Sequence, residues 1–253
     1  MIHAIKQYIS REFIFPKAEM RDSEDLSGVA VIVTGASRGM GKAITETLLS
    51  KGCAVLAVSR SIDDLQIAYP QKSERLLLCA ADVTNEAEVK KIIDTALANF
   101  KTIDVLINNA GTKTEQAIDD ASEKDFDDMM NTNVKAAFLM CKYVTPIMKK
   151  HKKGFIVNIG SKISHNTNVS PNRSLYAMTK YALEGFSLAL NNELKQFGIR
   201  VSCLMPGTVN TFVSFQAKKY LSPYQVAEIV AMMIRFDDID FESVIIKSRK
   251  QHI

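Results

Sequence analysis

The chain has 253 residues and a formal net charge of +4 at pH 7, from 32 Lys and Arg against 28 Asp and Glu. Hydrophobic residues make up 47% and charged residues 24% of the sequence, which excludes a wholly disordered chain. The small net charge gives no reason to expect a nucleic-acid partner, because such proteins carry a basic patch or stripe. The longest apolar runs have six residues, whereas a membrane-spanning helix needs ~20, so we expect no membrane association.

Residues 1–27 differ in pattern from the rest and are interpreted as an N-terminal extension. Apolar residues recur in them with roughly helical spacing, at Ile2, Ile5, Tyr8, Ile9 and Phe13. The spacing predicts a short amphipathic helix that packs on the body or on a partner subunit. A targeting segment is the alternative, although the acidic residues of the extension count against it.

From residue 28 to residue 253, short apolar runs rich in β-branched residues alternate with stretches of helical pattern. Strands are predicted at 29–33, 54–58, 76–80, 105–107, 155–159, 201–205 and 244–246. Helices are predicted at 42–50, 86–98, 124–149, 174–196 and 226–234. Near-continuous apolar strands that alternate with helices indicate one α/β domain with a parallel sheet covered on both faces.

A glycine-rich segment, TGASRGMG at residues 34–41, follows the first predicted strand and leads into the first predicted helix. In this context Gly35 permits a tight turn, Gly39 lets the backbone approach a pyrophosphate, and Gly41 allows close packing of helix on strand. Free N–H groups at the helix N-terminus supply partial positive charge for the anion. The pattern predicts a dinucleotide site; the alternative is a plain strand–helix turn.

The residues at the end of the second strand bear on which dinucleotide is bound. NAD-specific sites place an acid there to hold the ribose 2′-hydroxyl. Here the strand ends in Ser59 and Arg60, and Arg38 lies within the glycine-rich turn. Two guanidinium groups near one ribose suit a 2′-phosphate, so NADP(H) is favoured over NAD(H). The alternative is a pair of unrelated surface arginines.

Four cysteines are scattered along the chain: Cys53, Cys79, Cys141 and Cys203. They form no CxxC pair, and no His or carboxylate stands at metal-site spacing from them. We therefore predict buried free thiols in a reducing compartment, no metal site, and a cytoplasmic location.

Tyr176 is the one tyrosine among seven that has a lysine four residues later, Lys180. On a helix this spacing puts both side chains on one face. A phenol has a pKa of about 10, and a nearby ammonium favours the phenolate, so we expect a lowered pKa suited to acid–base work. Ser161 follows the strand predicted at 155–159 and brings a hydroxyl to the same region.

Together these landmarks resemble the short-chain dehydrogenase/reductase family. The resemblance rests on the glycine-rich turn, on NNAG at residues 108–111, on Ser161, on the Tyr176 and Lys180 pair, and on PG at residues 206–207. It covers the chain from the first predicted strand to the last. It implies a single doubly wound Rossmann-type domain and hydride transfer between a nicotinamide and a carbonyl or alcohol substrate.

The resemblance also implies roles at matching positions. Tyr176 would act as general acid/base, with Ser161 hydrogen-bonded to the substrate oxygen. Lys180 would bind the nicotinamide ribose, and Asn133 would hold a water in a proton relay. The implied cofactor contacts are Gly35, Ser37, Arg38, Gly39, Met40, Gly41, Ser59, Arg60, Asp82, Val83, Asn109, Ala110, Gly111, Tyr176, Lys180, Pro206, Gly207, Val209 and Thr211. Structural alternatives stay open for Asn108 and Asn109 as ties between strand ends, for Asn133 as a satisfied buried amide and for Ser161 as a strand-end cap.

The sequence thus predicts an NADP(H)-dependent carbonyl reductase, acting reversibly on a small ketone or 3-oxoacyl-like substrate. The alternative is a non-catalytic protein that senses NADP(H) on the same fold. Apolar residues expected at the substrate pocket are Ile163, Val209, Phe212 and Val213. Lys162 and His165 lie in the loop that borders this pocket; His165 is interpreted as a loop-lining residue, and the alternative is that either residue tunes the preference for substrate charge.

A homodimer or homotetramer is expected, because the family commonly associates through the two long helices predicted here at 124–149 and 174–196. The residues that could form such a contact are Met129, Met130, Phe138, Phe186 and Leu190. The same residues could equally belong to the core of one subunit.

Overall fold

Seven parallel strands form one sheet in the computed structural model of the chain, which describes residues 25–71, 73–165, 169–211 and 220–249. The strands are β1 (Ala30–Thr34), β2 (Ala54–Ser59), β3 (Leu76–Ala80), β4 (Val105–Asn108), β5 (Gly154–Ile159), β6 (Ile199–Pro206) and β7 (Ser243–Ile246). Their order across the sheet is β3-β2-β1-β4-β5-β6-β7, and each neighbouring pair is parallel. The predicted doubly wound α/β fold is confirmed. The helix predicted within residues 1–27 falls largely outside the described residues.

Helices cover the sheet between its strands. They are α1 (Gly39–Ser50), α2 (Ile62–Ala68), α3 (Glu86–Phe100), α4 (Glu123–Met130), α5 (Ala136–His151), α6 (Ser174–Leu194) and α7 (Pro223–Arg235). A polar side chain caps the N-terminus of α2, α3, α4 and α7, which satisfies backbone N–H groups that have no partner within the helix. By contrast, α1 and α6 begin after Arg38 and Arg173, neither of which supplies a side-chain cap.

Alternate residues of the central strands face two separate apolar layers. In β1, Val31 and Val33 belong to the cluster that contains the inner faces of α1 and α7, whereas Ile32 belongs to the cluster that contains α3 and α5. All three are fully buried. Because alternate side chains are buried on opposite faces of the sheet, water does not reach the middle of these strands. A binding site is therefore expected at the carboxyl ends of the strands.

The order of strands reverses at β1, which pairs with β2 on one side and with β4 on the other. In a doubly wound sheet, a crevice opens at this reversal, outside the carboxyl ends of the two strands. The glycine-rich turn after β1 and residues 109–111 after β4 both lie at this crevice. The topology thus positions the predicted dinucleotide site.

A π-helical turn, Asn131–Lys135, joins α4 to α5 and divides the single helix predicted over residues 124–149. The hydrophobic period of the flanking helices continues on both sides, so the sequence pattern does not show the extra residue that the turn contains. The turn brings Asn133 into the interior, where its side chain is buried. Turns of this kind occur frequently at functional sites.

The four cysteines are buried and free, as predicted. Burial raises the pKa of Cys53 and Cys141 to about 12 and of Cys203 to about 11, so these thiols stay protonated. Within the described ranges no group of His, Cys, Asp or Glu could hold a metal ion. None of the helices described is long and apolar enough to cross a bilayer.

Three buried polar side chains link β4, β5 and α6 through the interior. The Asn108 amide donates to Asn158 Oδ1 at 2.8 Å, and the Asn158 amide donates to Ser187 Oγ at 2.8 Å. Ser187 in turn donates to a backbone carbonyl of its own helix at 2.6 Å. A satisfied buried network of this kind fixes the relative position of the elements it joins. Asn108 thus has the structural role that its motif position left open.

Replacing the central member of this chain tests that role. Asn158→Ala is expected to lower the free energy of unfolding by about 2–4 kcal/mol, because two buried partners each lose a hydrogen bond. Urea denaturation of the variant and the wild type measures the difference. Asn192→Ala, at an exposed position on the same helix as Ser187, is the matched control and is expected to change it by under about 0.5 kcal/mol. Equal midpoints for Asn158→Ala and the wild type would contradict the proposed role.

Candidate active site

The glycine-rich turn lies between β1 and α1 at the carboxyl edge of the sheet. Gly39 has a φ of +56°, a conformation that glycine adopts without strain. A Cβ added at Gly41 would lie 2.1 Å from the carbonyl oxygen of Gly35, so no larger residue fits between the turn and the helix. Since no side chain caps α1, its first N–H groups are available to an anion. The turn therefore fits the pyrophosphate of a dinucleotide.

Asn109 holds this turn in place from the end of β4. Its amide donates to the carbonyl oxygens of Thr34 at 2.9 Å and Gly35 at 3.1 Å. The Thr34 hydroxyl accepts from the backbone N–H groups of Asn109 and Ala110, both at 3.0 Å. These contacts support the structural alternative for Asn109, because its amide is fully occupied by the turn.

The residues predicted to surround the adenosine ribose come together at the ends of β1 and β2. The Ser59 hydroxyl donates to Ser37 Oγ at 3.2 Å, which joins the two strand ends. Arg38 and Arg60, each next to one of these serines, are exposed. Tyr69, which sequence reasoning missed, donates to the Ala36 carbonyl at 2.6 Å and supports the turn from α2's C-terminal side.

Asp82 and Val83 follow β3, on the same edge of the sheet. The Asp82 carboxylate accepts hydrogen bonds from the N–H and the hydroxyl of Thr84, at 2.9 and 2.8 Å. Val83 is buried in the layer against which Ala110 also packs. Both residues thus lie where an adenine contact was predicted, although the described contacts of Asp82 are those of a local turn.

Ser161 and Tyr176 bring two hydroxyl groups together beside the crevice. Ser161 follows β5 and Tyr176 lies in the first turn of α6, and the Ser161 side chain is close enough to the phenol to act on its pKa. Burial raises the pKa of Tyr176, while the Ser161 hydroxyl and the charge of Arg173 act in the opposite direction. The prediction that Lys180 lowers this pKa is wrong for the protein alone, because burial of the phenol is the largest effect.

Lys180 is buried one helical turn beyond Tyr176. Its ammonium donates to the carbonyl oxygen of Ile159, the last residue of β5, at 2.9 Å, and lies 5.8 Å from the centre of the Tyr176 ring. Burial lowers the pKa of Lys180 to about 8. Its ammonium also lies close to Gly111, where an added Cβ would be 3.9 Å from Nζ. The lysine thus connects α6, β5 and the loop after β4.

Asn133 points inward from the π-helical turn and makes three hydrogen bonds. Its amide donates to the carbonyl of Thr112 at 2.9 Å and to Thr179 Oγ1 at 3.0 Å, and its Oδ1 accepts from the Thr112 N–H at 2.8 Å. Thr179 precedes Lys180, so Asn133 ties the loop after β4 to α6. These contacts fit the buried-amide alternative, and the water-holding role stays a prediction.

The segment after β6 closes over the glycine-rich turn. Gly207 donates through its N–H to Ile246 O at 2.7 Å, and Val209 forms a β-bridge with Leu221. The Cγ2 of Thr211 lies 3.3 Å from the position of a Cβ added at Gly39, so Thr211 borders the phosphate turn. The pocket residues predicted at 212 and 213 lie outside the described residues.

The loop between β5 and α6 carries charged residues whose partners the sequence did not reveal. Lys162 begins a short 3-10 turn, Lys162–His165, and His165 binds the buried Glu184 of α6. Arg173, immediately before α6, binds Glu115 in the loop after β4. The partners are 19 and 58 positions apart in the sequence, so no local sequence pattern predicts either pair.

Comparison with known proteins agrees with this geometry. The family model described as short chain dehydrogenase matches residues 29–220. The chain therefore belongs to the short-chain dehydrogenase family.

The chain is 34% identical to the oxidoreductase BOA17 of Botryotinia fuckeliana over 200 residues, which cover 76% of this chain and 71% of that one. Serine dehydrogenase from Escherichia coli has a TM-score of 0.79 and 28% identity, over 87% of this chain and 97% of that one. A closed form of serine dehydrogenase complexed with NADP+ matches equally well, at a TM-score of 0.79. The 3-ketoacyl-(acyl-carrier-protein) reductase from Brucella melitensis, complexed with NADH, has a TM-score of 0.82 and 25% identity, over 89% and 99% of the chains.

The burial of Lys180 leads to a prediction about the free energy of unfolding. Its pKa of about 8 in the folded chain lies below the ordinary 10.5, so the charged form is disfavoured by folding, by about 3 kcal/mol at pH 7. Lys180→Met, with no cofactor added, is expected to raise the free energy of unfolding at pH 7 by up to that amount. The unfolded chain binds more protons between pH 8 and pH 10.5, so wild-type stability rises there and the difference shrinks.

Thermal unfolding of both proteins at pH 7 and pH 9.5 measures this effect. Lys91→Met, at an exposed position of α3, is the control and is expected to shift neither melting temperature appreciably. A Lys180→Met variant less stable than the wild type at pH 7 would show that the hydrogen bond to Ile159 outweighs the cost of burying the charge.

Proposed function

We propose that the protein is an NADP(H)-dependent oxidoreductase that transfers hydride reversibly between the nicotinamide and a carbonyl or alcohol, and that reduction is its main direction. The observation that carries this proposal is the placement of the Ser161 and Tyr176 hydroxyls beside each other, with the buried Lys180 ammonium 5.8 Å from the centre of the Tyr176 ring. The glycine-rich turn, with its uncapped helix, fits the pyrophosphate of the cofactor.

When bound, the cofactor supplies the hydride. The chain's residues then handle the oxygen of the substrate. Two hydroxyls, from Ser161 and Tyr176, donate to the carbonyl oxygen as negative charge develops there, and Tyr176 gives up its proton. The ammonium of Lys180 stabilises the phenolate that remains. In the oxidative direction the same phenolate accepts the proton of the alcohol.

Tyr176→Phe tests the assignment of the acid. The ring stays in place but the proton is lost, so kcat is expected to fall at least ~100-fold while cofactor binding changes little. Steady-state oxidation of NADPH with a panel of carbonyl compounds gives kcat, and calorimetric titration with NADP+ gives binding. Tyr181→Phe, exposed on the same helix, is the control. A variant as fast as the wild type would contradict the mechanism, and NADP+ binding with no turnover by the wild type would favour a sensor.

The preference for NADP(H) is proposed from the charges beside the ribose position. Arg38 and Arg60 are exposed at the ends of the two strands whose serines are hydrogen-bonded, and β2 ends in Ser59 where NAD-specific sites carry an acid. A guanidinium pair can hold a 2′-phosphate with charge-assisted bonds. The NADP+ complex of serine dehydrogenase supports this proposal, whereas the Brucella reductase was solved with NADH.

Removing these charges is expected to weaken NADP+ binding and to spare NAD+ binding. Each of Arg38→Gln and Arg60→Gln should raise the dissociation constant for NADP+ by about 10- to 100-fold, because each removes one charged partner of the phosphate. The dissociation constant for NAD+ should change less than about threefold. Titration calorimetry measures both constants, with the exposed Arg75→Gln as control. An equal loss for both dinucleotides would refute the assignment.

We also propose that the protein is a cytoplasmic homo-oligomer with no nucleic-acid or membrane partner. Apolar and aromatic side chains on α5 and α6 support association, because Phe138, Met178 and Tyr181 are 47%, 39% and 49% exposed. Among the residues named from the sequence as candidates for the subunit contact, Met129 is buried in the core. Phe186 and Leu190 are partly buried and pack against the core.

A further inference from the structure

We propose that Arg173 binds a carboxylate of the substrate, so that the protein acts on oxo acids and on the corresponding hydroxy acids. This inference rests on the proposed function and adds to it the chemical class of the substrate. It follows from where the loops around Ser161 and Tyr176 place their charges.

The backbone of Arg173 is hydrogen-bonded into the N-terminus of α6. Its carbonyl oxygen accepts from the Ala177 N–H at 2.8 Å, and Asn172 before it has a φ of +64°, so the chain turns sharply into the helix. Arg173 precedes Tyr176 by three residues and stands immediately before the first residue of α6. The charge of Arg173 reaches the phenol, since it acts to lower the pKa of Tyr176.

A carboxylate already occupies the guanidinium of Arg173. Glu115, from the loop after β4, accepts from Arg173 Nη2 at 2.9 Å through Oε1, and the same oxygen accepts from Lys113 Nζ at 3.1 Å. This contact joins the two loops on either side of the site. Both side chains are partly exposed, Arg173 at 39% and Glu115 at 46%, so a small carboxylate can compete with Glu115 for the guanidinium.

Two more cations follow site residues in the chain. Lys113 lies two residues after Gly111, and Lys162 follows Ser161 directly. The loop after β4 thus carries one cation and the loop between β5 and α6 carries two, and a carboxylate that enters the site is attracted by all three. An exposed ion pair elsewhere on the surface would have little energetic effect, so what distinguishes this one is its position at Tyr176.

The experiment compares acids with their uncharged derivatives. The substrates are 2-oxo and 3-oxo acids of about four to six carbons, the methyl ester of each, and the 3-oxoacyl thioester of N-acetylcysteamine. The wild type is expected to prefer the acids. In Arg173→Gln, KM for the acids should rise about 10- to 100-fold relative to KM for the esters, since a charge-assisted hydrogen bond is lost. Arg173→Lys should restore part of the preference.

Glu115→Gln is expected to act in the opposite direction. Without its carboxylate the guanidinium is free, so KM for the acids should fall and KM for the esters should stay unchanged. Opposite signs for Arg173→Gln and Glu115→Gln are not expected if the pair only holds the two loops together. Lys124→Gln, which breaks an exposed ion pair with Asp128, is the matched control and should leave the ratio of acid to ester unchanged.

Binding provides a readout that does not depend on turnover. Calorimetric titration of 3-hydroxybutyrate into the NADP+-saturated protein should show binding by the wild type and its loss in Arg173→Gln. Arg173-dependent binding without turnover would support the carboxylate site and overturn the proposed reaction. The carboxylate site would be overturned, and the reaction would stand, if Arg173→Gln raised KM for the acids and the esters by the same factor. The same conclusion would follow if the wild type preferred the esters or the thioester to the acids.

Discussion

The hydrogen bond from Lys180 Nζ to the carbonyl oxygen of Ile159 is the contact on which the arrangement of the site depends. Together with the hydrogen bond from Asn158 to Ser187, it joins the interior of α6 to β5. A buried ammonium must find a partner, because an unpaired charge in the interior is expensive. The strand end supplies one at 2.9 Å, and the position of α6 along β5 is thereby fixed. Since Ser161 follows β5 and Tyr176 precedes Lys180 by one helical turn, fixing the helix also brings the two hydroxyls together.

Several residues that mark the family in the sequence support this arrangement without touching a reacting atom. Asn109 occupies its amide with the turn after β1, and Asn108 begins a buried chain of hydrogen bonds that ends on α6. Asn133 ties the loop after β4 to the helix that carries Lys180. The carboxyl edge of a parallel sheet leaves strand ends without ladder partners, and these amides satisfy them. The residues that mark the family in the sequence therefore serve largely to hold the carboxyl edge of the sheet in one fixed conformation.

The sequence predicts the sheet well because strands buried on both faces are continuous apolar runs. β6 is the least accurate, predicted at 201–205 and observed at Ile199–Pro206, because Arg200 interrupts the run. The helix Ile62–Ala68 was missed because seven residues contain too few turns to show a period. The π-helical turn, the pair of His165 with Glu184 and the pair of Arg173 with Glu115 were missed because they depend on register or on contacts between distant segments. The direction of the Tyr176 pKa was also misjudged, because burial of the phenol is not visible in a spacing of four residues.

One cause shifts the pKa values of Tyr176 and Lys180, the two titratable groups of the site, in opposite directions. Burial disfavours the charged form of each, so the pKa of Tyr176 rises and that of Lys180 falls. At neutral pH the phenol therefore carries its proton, which is the form that reduction of a carbonyl requires and that oxidation of an alcohol cannot use. The guanidinium of Arg173 moderates this effect by favouring the phenolate. A substrate carboxylate that takes the place of Glu115 at Arg173 would bring its negative charge into the site, and so would keep the phenol protonated until hydride transfer places negative charge on the substrate oxygen. Binding of the anion and delivery of the proton would then favour the same direction of reaction, the reduction of an oxo acid.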